Sequence, residues 1–186
     1  FTGAPDLRAA LIWLMRRDPS TPLHWRENVE TTMPTGLFTN DTRWNGFRWW
    51  SEALGFAREG LKSLMSHGGQ RTWIVPDPSV AVIDAIEHPL GPALPRDTQL
   101  PIKDLLAFLL SELPVLPGHP SATYAGPNDE EGQASPALGL ALAAAEQRHI
   151  LSMRYQSDPS GVLALPDAQN FGQDRYVSTV TIGKRP

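Results

Sequence analysis

The stretch NDTRWNGFRWWSEALGF, residues 40–56, sets the tightest limit on how this chain can fold. Tryptophans, two phenylalanines and two arginines crowd into a run with the spacing of an amphipathic helix, and Asn40 or Asp41 stands ready as its cap. At about 100° per residue, Trp44, Phe47, Trp50 and Leu54 gather on one side, while Asn45, Trp49 and Phe56 lie opposite. That much apolar surface needs a core, so this helix is expected to be the spine of a small domain. Trp49 falls outside the spine.

Other elements are legible on either side. Asp6 caps a first helix with Leu7, Leu11, Leu14 and Met15 along one side; Arg16 and Arg17 suit its C-terminal dipole, and Pro19 stops it. A weaker helix is expected over 25–33, before the break at 34–36. Residues 55–59 read as a short strand, Gly68-Gly69 as a turn, and 71–75 as a second strand. Ser79 caps a helix that turns Val80, Ile83 and Ile86 inward, and Pro89, Pro92 and Pro95 close it into a linker. Further on, Ile102, Leu105, Leu106, Leu109 and Leu113 mark an amphipathic helix just after Pro101. Residues 114–133 are rich in Pro, Gly and acidic side chains and read as a long loop, and Ser135-Pro136 starts a helix reaching about His149. Strands over 150–156 and 162–165 flank the turn residues 158–161, and a third strand spans 176–182.

The two halves follow a similar plan, each closing on an apolar run before Pro-Asp: WIVPDP from Trp73 and LALPDA from Leu163. Helices followed by a two-stranded hairpin are the plan of a winged helix-turn-helix. The expected fold is therefore α+β and predominantly α. It consists of two tandem winged helix-turn-helix domains with short β-hairpin wings. The first spans 1–95, including its closing helix and Pro-rich linker, and the second spans 96–186. The helices over 40–56 and 135–149 hold the third, reading position, although the second copy lacks a visible middle helix.

Composition limits the chemistry. Hydrophobic residues at 41% and charged residues at 19% belong to a globular chain rather than a disordered one. The chain has no cysteine, which excludes disulfides and thiolate metal sites. No apolar run approaches the roughly 20 residues of a membrane span, no signal peptide is visible, and a cytoplasmic location is expected. The start at Phe1 reads as a piece of a longer polypeptide. His24, His67, His88, His119 and His149 lack the spacing of helix-borne zinc ligands, and the acidic run 129–131 reads as a solvated loop. No phosphate-binding glycine loop, nucleophile elbow or kinase signature is present. The expectation is a non-enzymatic chain without metal or cofactor.

Binding remains. Asn40, Thr42, Arg43, Asn45 and Arg48 sit at or near the start of the aromatic helix, where helix-turn-helix proteins present side chains to base edges and phosphates. The same residues also have a structural reading, in which Arg48 solvates the helix and Asn40 merely caps it. Net charge of −4 opposes a strong phosphate term. Trp49, lying off the main apolar side, is a candidate protein contact, although packing on a neighbour would also account for it. Gln147 and Arg148, at the end of an otherwise alanine- and leucine-rich helix, are further candidates for a partner surface.

NDTRWNGFRWWSEALGF together with WIVPDPSVAVIDAI resembles the DpdG proteins, and the similarity extends through the Pro-rich linker to RYVSTVTI near the end. These are components of bacterial gene clusters that place 7-deazapurines in DNA and restrict unmodified DNA. The resemblance implies a role in a phage-defence assembly with helicases and nucleases, and it brings no catalytic residues. Two functions follow as expectations. The preferred one is a tandem winged-helix subunit that helps a complex engage double-stranded DNA. The alternative is an adaptor that holds other protein subunits without touching DNA.

Overall fold

The structure is a computed structural model and describes residues 5–34, 36–61, 73–123, 132–156, 161–166 and 173–184. From Ala10 in its first helix, α1 (Pro5–Leu14), to Met15 just past it, the chain is buried throughout. A stretch buried on every side needs neighbours on every side, and the next elements supply them. A π-helical turn (Trp25–Val29) runs into the short α2 (Glu30–Thr32), so the helix expected over 25–33 forms with a wider first turn. Asn28 fixes that turn, its Oδ1 accepting from the His24 amide and its Nδ2 donating to the Pro22 carbonyl, both at 2.9 Å. The aromatic stretch forms α3 (Asp41–Ala53), capped by Asn40, whose Oδ1 accepts from the Arg43 amide at 3.0 Å.

β1 (Ala57–Glu59) and β2 (Ile74–Pro76) pair antiparallel, with Ala57 opposite Pro76, and Leu23 bridges to Ile74. The turn expected at 68–69 and residues 71–72 lie outside the described residues. α4 (Ser79–Glu87) follows, but the cap expected at Ser79 comes from two residues earlier. The Asp77 carboxylate accepts from the Ser79 amide at 3.0 Å and pairs with Arg58 at 2.9 Å. Beyond the proline segment come β3 (Gln99–Pro101), α5 (Ile102–Glu112) and α6 (Pro136–Gln147). α6 begins as its sequence predicts, with the Ser135 hydroxyl accepting from the Leu138 amide and Pro136 in the first turn. Four strands complete the chain: β4 (Leu151–Arg154), β5 (Leu163–Pro166), β6 (Asp174–Val177) and β7 (Thr179–Ile182).

The pairing of these strands corrects the hairpin expected around 158–161. β4 pairs not with β5 but with β7, as the edge of a three-stranded sheet ordered β3-β7-β4, while β5 pairs with β6. The strand expected over 176–182 is two strands that belong to different sheets. Ser178 is the pivot. It is buried, its amide donates to the Arg154 carbonyl, its hydroxyl accepts from the Gln156 amide, and its carbonyl accepts from the Ile102 amide. Register explains the choice of partner. Leu151 opposite Ile182 and Met153 opposite Val180 put four buried apolar side chains on one sheet face.

Buried side chains from both halves join in one hydrophobic cluster, with α4 packed on α6 and α5. Two arginines of α1 and its end tie the first half to the loop after α5. Arg8 donates to the Pro114 and Ser121 carbonyls at 3.2 and 2.9 Å, and Arg16 donates to the Ala122 carbonyl at 3.2 Å.

Glu146 fastens α6 to the strands. Its carboxylate accepts from the Met153 amide at 2.8 Å and from the Arg175 guanidinium, which also donates to the Met153 carbonyl at 2.8 Å. Burial pushes the Glu146 carboxyl up, but the Arg175 and Met153 hydrogen bonds and the Arg175 charge outweigh it and hold the carboxyl below its ordinary value. A depressed folded value means stability that is present above the unfolded carboxyl pKa and is lost as pH falls through the folded one. Glu146→Gln is expected to melt at a lower temperature than the parent at neutral pH, with the difference closing in acid. Equal melting temperatures at neutral pH would count against this account.

Candidate functional site

α3 has a buried side and an outward side, and the boundary between them falls where the wheel alone does not place it. Trp44, Phe47, Arg48 and Ser51 are buried, whereas Trp50 and Leu54, expected inside, are 60% and 43% exposed. Trp49 is 70% exposed. The buried arc is therefore rotated by about 60° from the expected one. Trp44 fixes the rotation: it meets Trp13 edge-on at 6.3 Å, Phe38 at 6.2 Å and Phe47 at 5.5 Å between ring centroids. Ser51 follows it inward because its hydroxyl can donate back to the Arg48 carbonyl, at 2.8 Å.

Arg48 is the unexpected member of the buried side. Only 6% exposed, it donates from Nη1 to Asn45 Oδ1 at 3.0 Å. Burial pulls its guanidinium below the ordinary arginine value, opposed by the charges of Glu52 and Glu59. Burial likewise raises Glu52, with Arg48 opposing and Glu59 adding to the rise. Arg48 and Asn45 thus face each other along the helix, and Arg48 does not share the outer surface with Thr42 and Arg43.

Asn40, Thr42 and Arg43 do come together at the exposed start of α3. Asn40 is spent on capping, and Arg43 Nη1 lies 3.6 Å from Asp6 on α1, with both side chains more than half exposed. Gln147 and Arg148 are exposed on another element, at the end of α6. Between α1 and α3 lies an open cleft of about 280 Å³, lined by Asp6, Leu7, Phe38, Arg43, Phe47 and Trp50. Among the described residues no group of three or more metal-ligating side chains converges, and no helix is long and apolar enough to cross a membrane.

Trp50, Leu54 and Gly46 are members of this outward face that periodicity misses or misplaces. Gly46 is a signal in its own right. A mid-helix glycine costs about 1 kcal/mol relative to alanine, and here nothing among the described residues requires one. Its φ is not positive, and a Cβ built on it meets none of the described residues within 4 Å. Itself half-buried, it lies by helical spacing between Trp49 on one side and Trp50 on the other.

A family model described as DpdG-like matches residues 2–159 of this chain. No curated protein and no solved structure matches it.

Proposed function

The chain belongs to the DpdG-like family, and we propose that, in the 7-deazapurine modification system to which that membership points, it is a non-enzymatic subunit that binds protein through the outward face of α3. One observation carries this reading. The same helix leaves two adjacent indoles and Leu54 in solvent while withdrawing its central arginine into the interior. Contiguous apolar surface of this kind is uncommon on a soluble monomer unless a partner covers it, and tryptophan dominates the energetics of such contacts. The net charge of −4 supports protein over nucleic acid as the main partner.

Co-expression with the other proteins of its system, followed by affinity purification, tests the reading. Replacing Trp49 and Trp50 by alanine together is expected to weaken recovery of the complex at least tenfold, as loss of one hot-spot residue at about 2 kcal/mol would require, while circular dichroism stays unchanged. An undiminished complex would contradict it.

A second reading, contact with duplex DNA, is favoured by Thr42 and Arg43 at the exposed start of α3. The order of α1, the helical segment 25–32, α3 and the β1–β2 hairpin supports a winged-helix plan for residues 1–95, with α3 in the reading position. In residues 96–186, α6 would hold that position, ending on Gln147 and Arg148. Titration of labelled duplex at low and high salt separates the two readings. DNA contact predicts affinity that falls with salt, and no binding at low salt removes it.

A further inference from the structure

We infer that the outward face of α3 takes a second copy of this chain, packed antiparallel across a two-fold axis, with the Trp50 indole of each copy seated over Gly46 of the other. This rests on reading that face as a protein-binding surface, and it names the occupant.

A two-fold interface uses one patch twice, so the patch must hold both a projection and its complement. α3 holds both within a single turn. Trp50 stands 60% exposed, and four residues earlier Gly46 leaves open space on the helix, with no described residue within 4 Å of where a Cβ would stand. Residues four apart lie on the same side of a helix. Turning one helix end for end about an axis between positions 46 and 50 therefore sets each indole against the other copy's glycine. Glycine at this position weakens the helix that carries it and serves no close contact among the described residues; close approach from outside gives it a use.

Charge agrees with the arrangement. Antiparallel packing brings Arg43, in the first turn of α3, beside the carboxyl end of the other copy's α3, where the helix dipole is negative. Area is adequate when the cleft is included. Two indoles of about 150–250 Å² each, mostly exposed, with Leu54, supply about half of the roughly 800 Å² per partner that a stable interface buries. Leu7 and Phe38, which line the adjoining cleft, together with Arg43, extend the contact.

Sedimentation velocity and light scattering on the full 186-residue chain test the inference directly. The parent chain is expected to form dimers whose fraction rises with concentration. Gly46→Gln fills the hollow with a good helix former, so it should weaken dimerisation at least tenfold while the melting temperature holds or rises; loss of folding therefore cannot account for the effect. Trp50→Ala should weaken the dimer to a similar degree. A chain that stays monomeric at all soluble concentrations, or a Gly46→Gln dimer as tight as the parent, overturns the second copy as occupant. If the chain is monomeric yet co-purification of other subunits still fails on replacing Trp49 and Trp50, only this inference falls and the protein-binding reading stands. If neither assembly depends on Trp49 or Trp50, both fall.

Discussion

Trp44→Ala is expected to cost about 3–5 kcal/mol, the range for removing a large aromatic from a packed interior. Total stability of a domain this size is roughly 5–15 kcal/mol, so the variant should be partly unfolded at moderate temperature. The reason is the number of partners that lose their contact at once. Trp13, Trp25, Phe38 and Phe47 all present rings to Trp44, and they come from α1, the π-helical turn, the segment before α3 and α3 itself. Alanine would leave a cavity at the point where these segments meet. Denaturant melts followed by circular dichroism would measure the loss, with Leu90→Ala as the control. Leu90 is 95% exposed, and its removal should change stability by less than about 0.5 kcal/mol. Equal effects from the two substitutions would contradict the core described for α3.

The second large effect is expected at the other end of the same helix. Gly55 lies just past the end of α3 with φ of +77°, and its amide donates to the Glu52 carbonyl. An added Cβ would stand 2.8 Å from the Ala81 backbone nitrogen and 3.0 Å from Val80. The first contact is with backbone and does not relax easily, because the Gly55 carbonyl also accepts from that same Ala81 amide at 3.2 Å; the second is with the Val80 side chain, starting at its Cβ. Gly55→Ala should therefore destabilise by about 2–4 kcal/mol, the left-handed conformation and the clash each contributing. Gly46→Ala, a few residues earlier, should do the opposite and stabilise by about 0.5–1 kcal/mol through helix propensity. Paired melts of the two variants give the comparison. A common sign would show that the backbone or surroundings of one glycine differ from this description.

These two glycines also show what could be read from the amino-acid order and what could not. Two helix starts were legible because they are local: Asn40 before α3 and Ser135-Pro136 before α6 satisfy amides within their own turn, whereas Asp77 takes the role expected of Ser79 before α4. The existence of most strands was legible for the same reason. Their partners were not. The turn residues at 158–161 favour a local hairpin, but β4 finds its mate across to β7, because both strands put alternate apolar residues toward one core and sequence proximity has no bearing on that. Splitting 176–182 into two strands depends on Ser178 being held by residues from β4 and α5, which no window around Ser178 contains.

At the candidate site, periodicity located the helix and misjudged its rotation. Hydrophobicity alone favours burying Trp50 and Leu54 over Arg48 and Ser51. The structure reverses this because Arg48 Nη1 and the Ser51 hydroxyl each find a local hydrogen-bond acceptor inside, and because Trp44 turns toward a ring cluster assembled from four separate segments. Thr42, Arg43 and Trp49 emerged on the surface, as a helix with this composition allows. Arg48 did not, and that withdrawal moves the balance of the outer face from basic to aromatic. Gly46 was a clue, since a half-buried mid-helix glycine with open space at its Cβ among the described residues leaves room for something outside.

Residue-resolved chemical modification of the indoles tests the account most directly. The reactivities to compare are those of the chain diluted below self-association and of the assembled complex. Trp49 and Trp50 should react readily in the dilute chain and become protected on assembly, while Trp13 and Trp44 stay protected in both. Trp49 and Trp50 reacting equally in both states, or Trp44 reacting in the dilute folded chain, would contradict the two-sided description of α3.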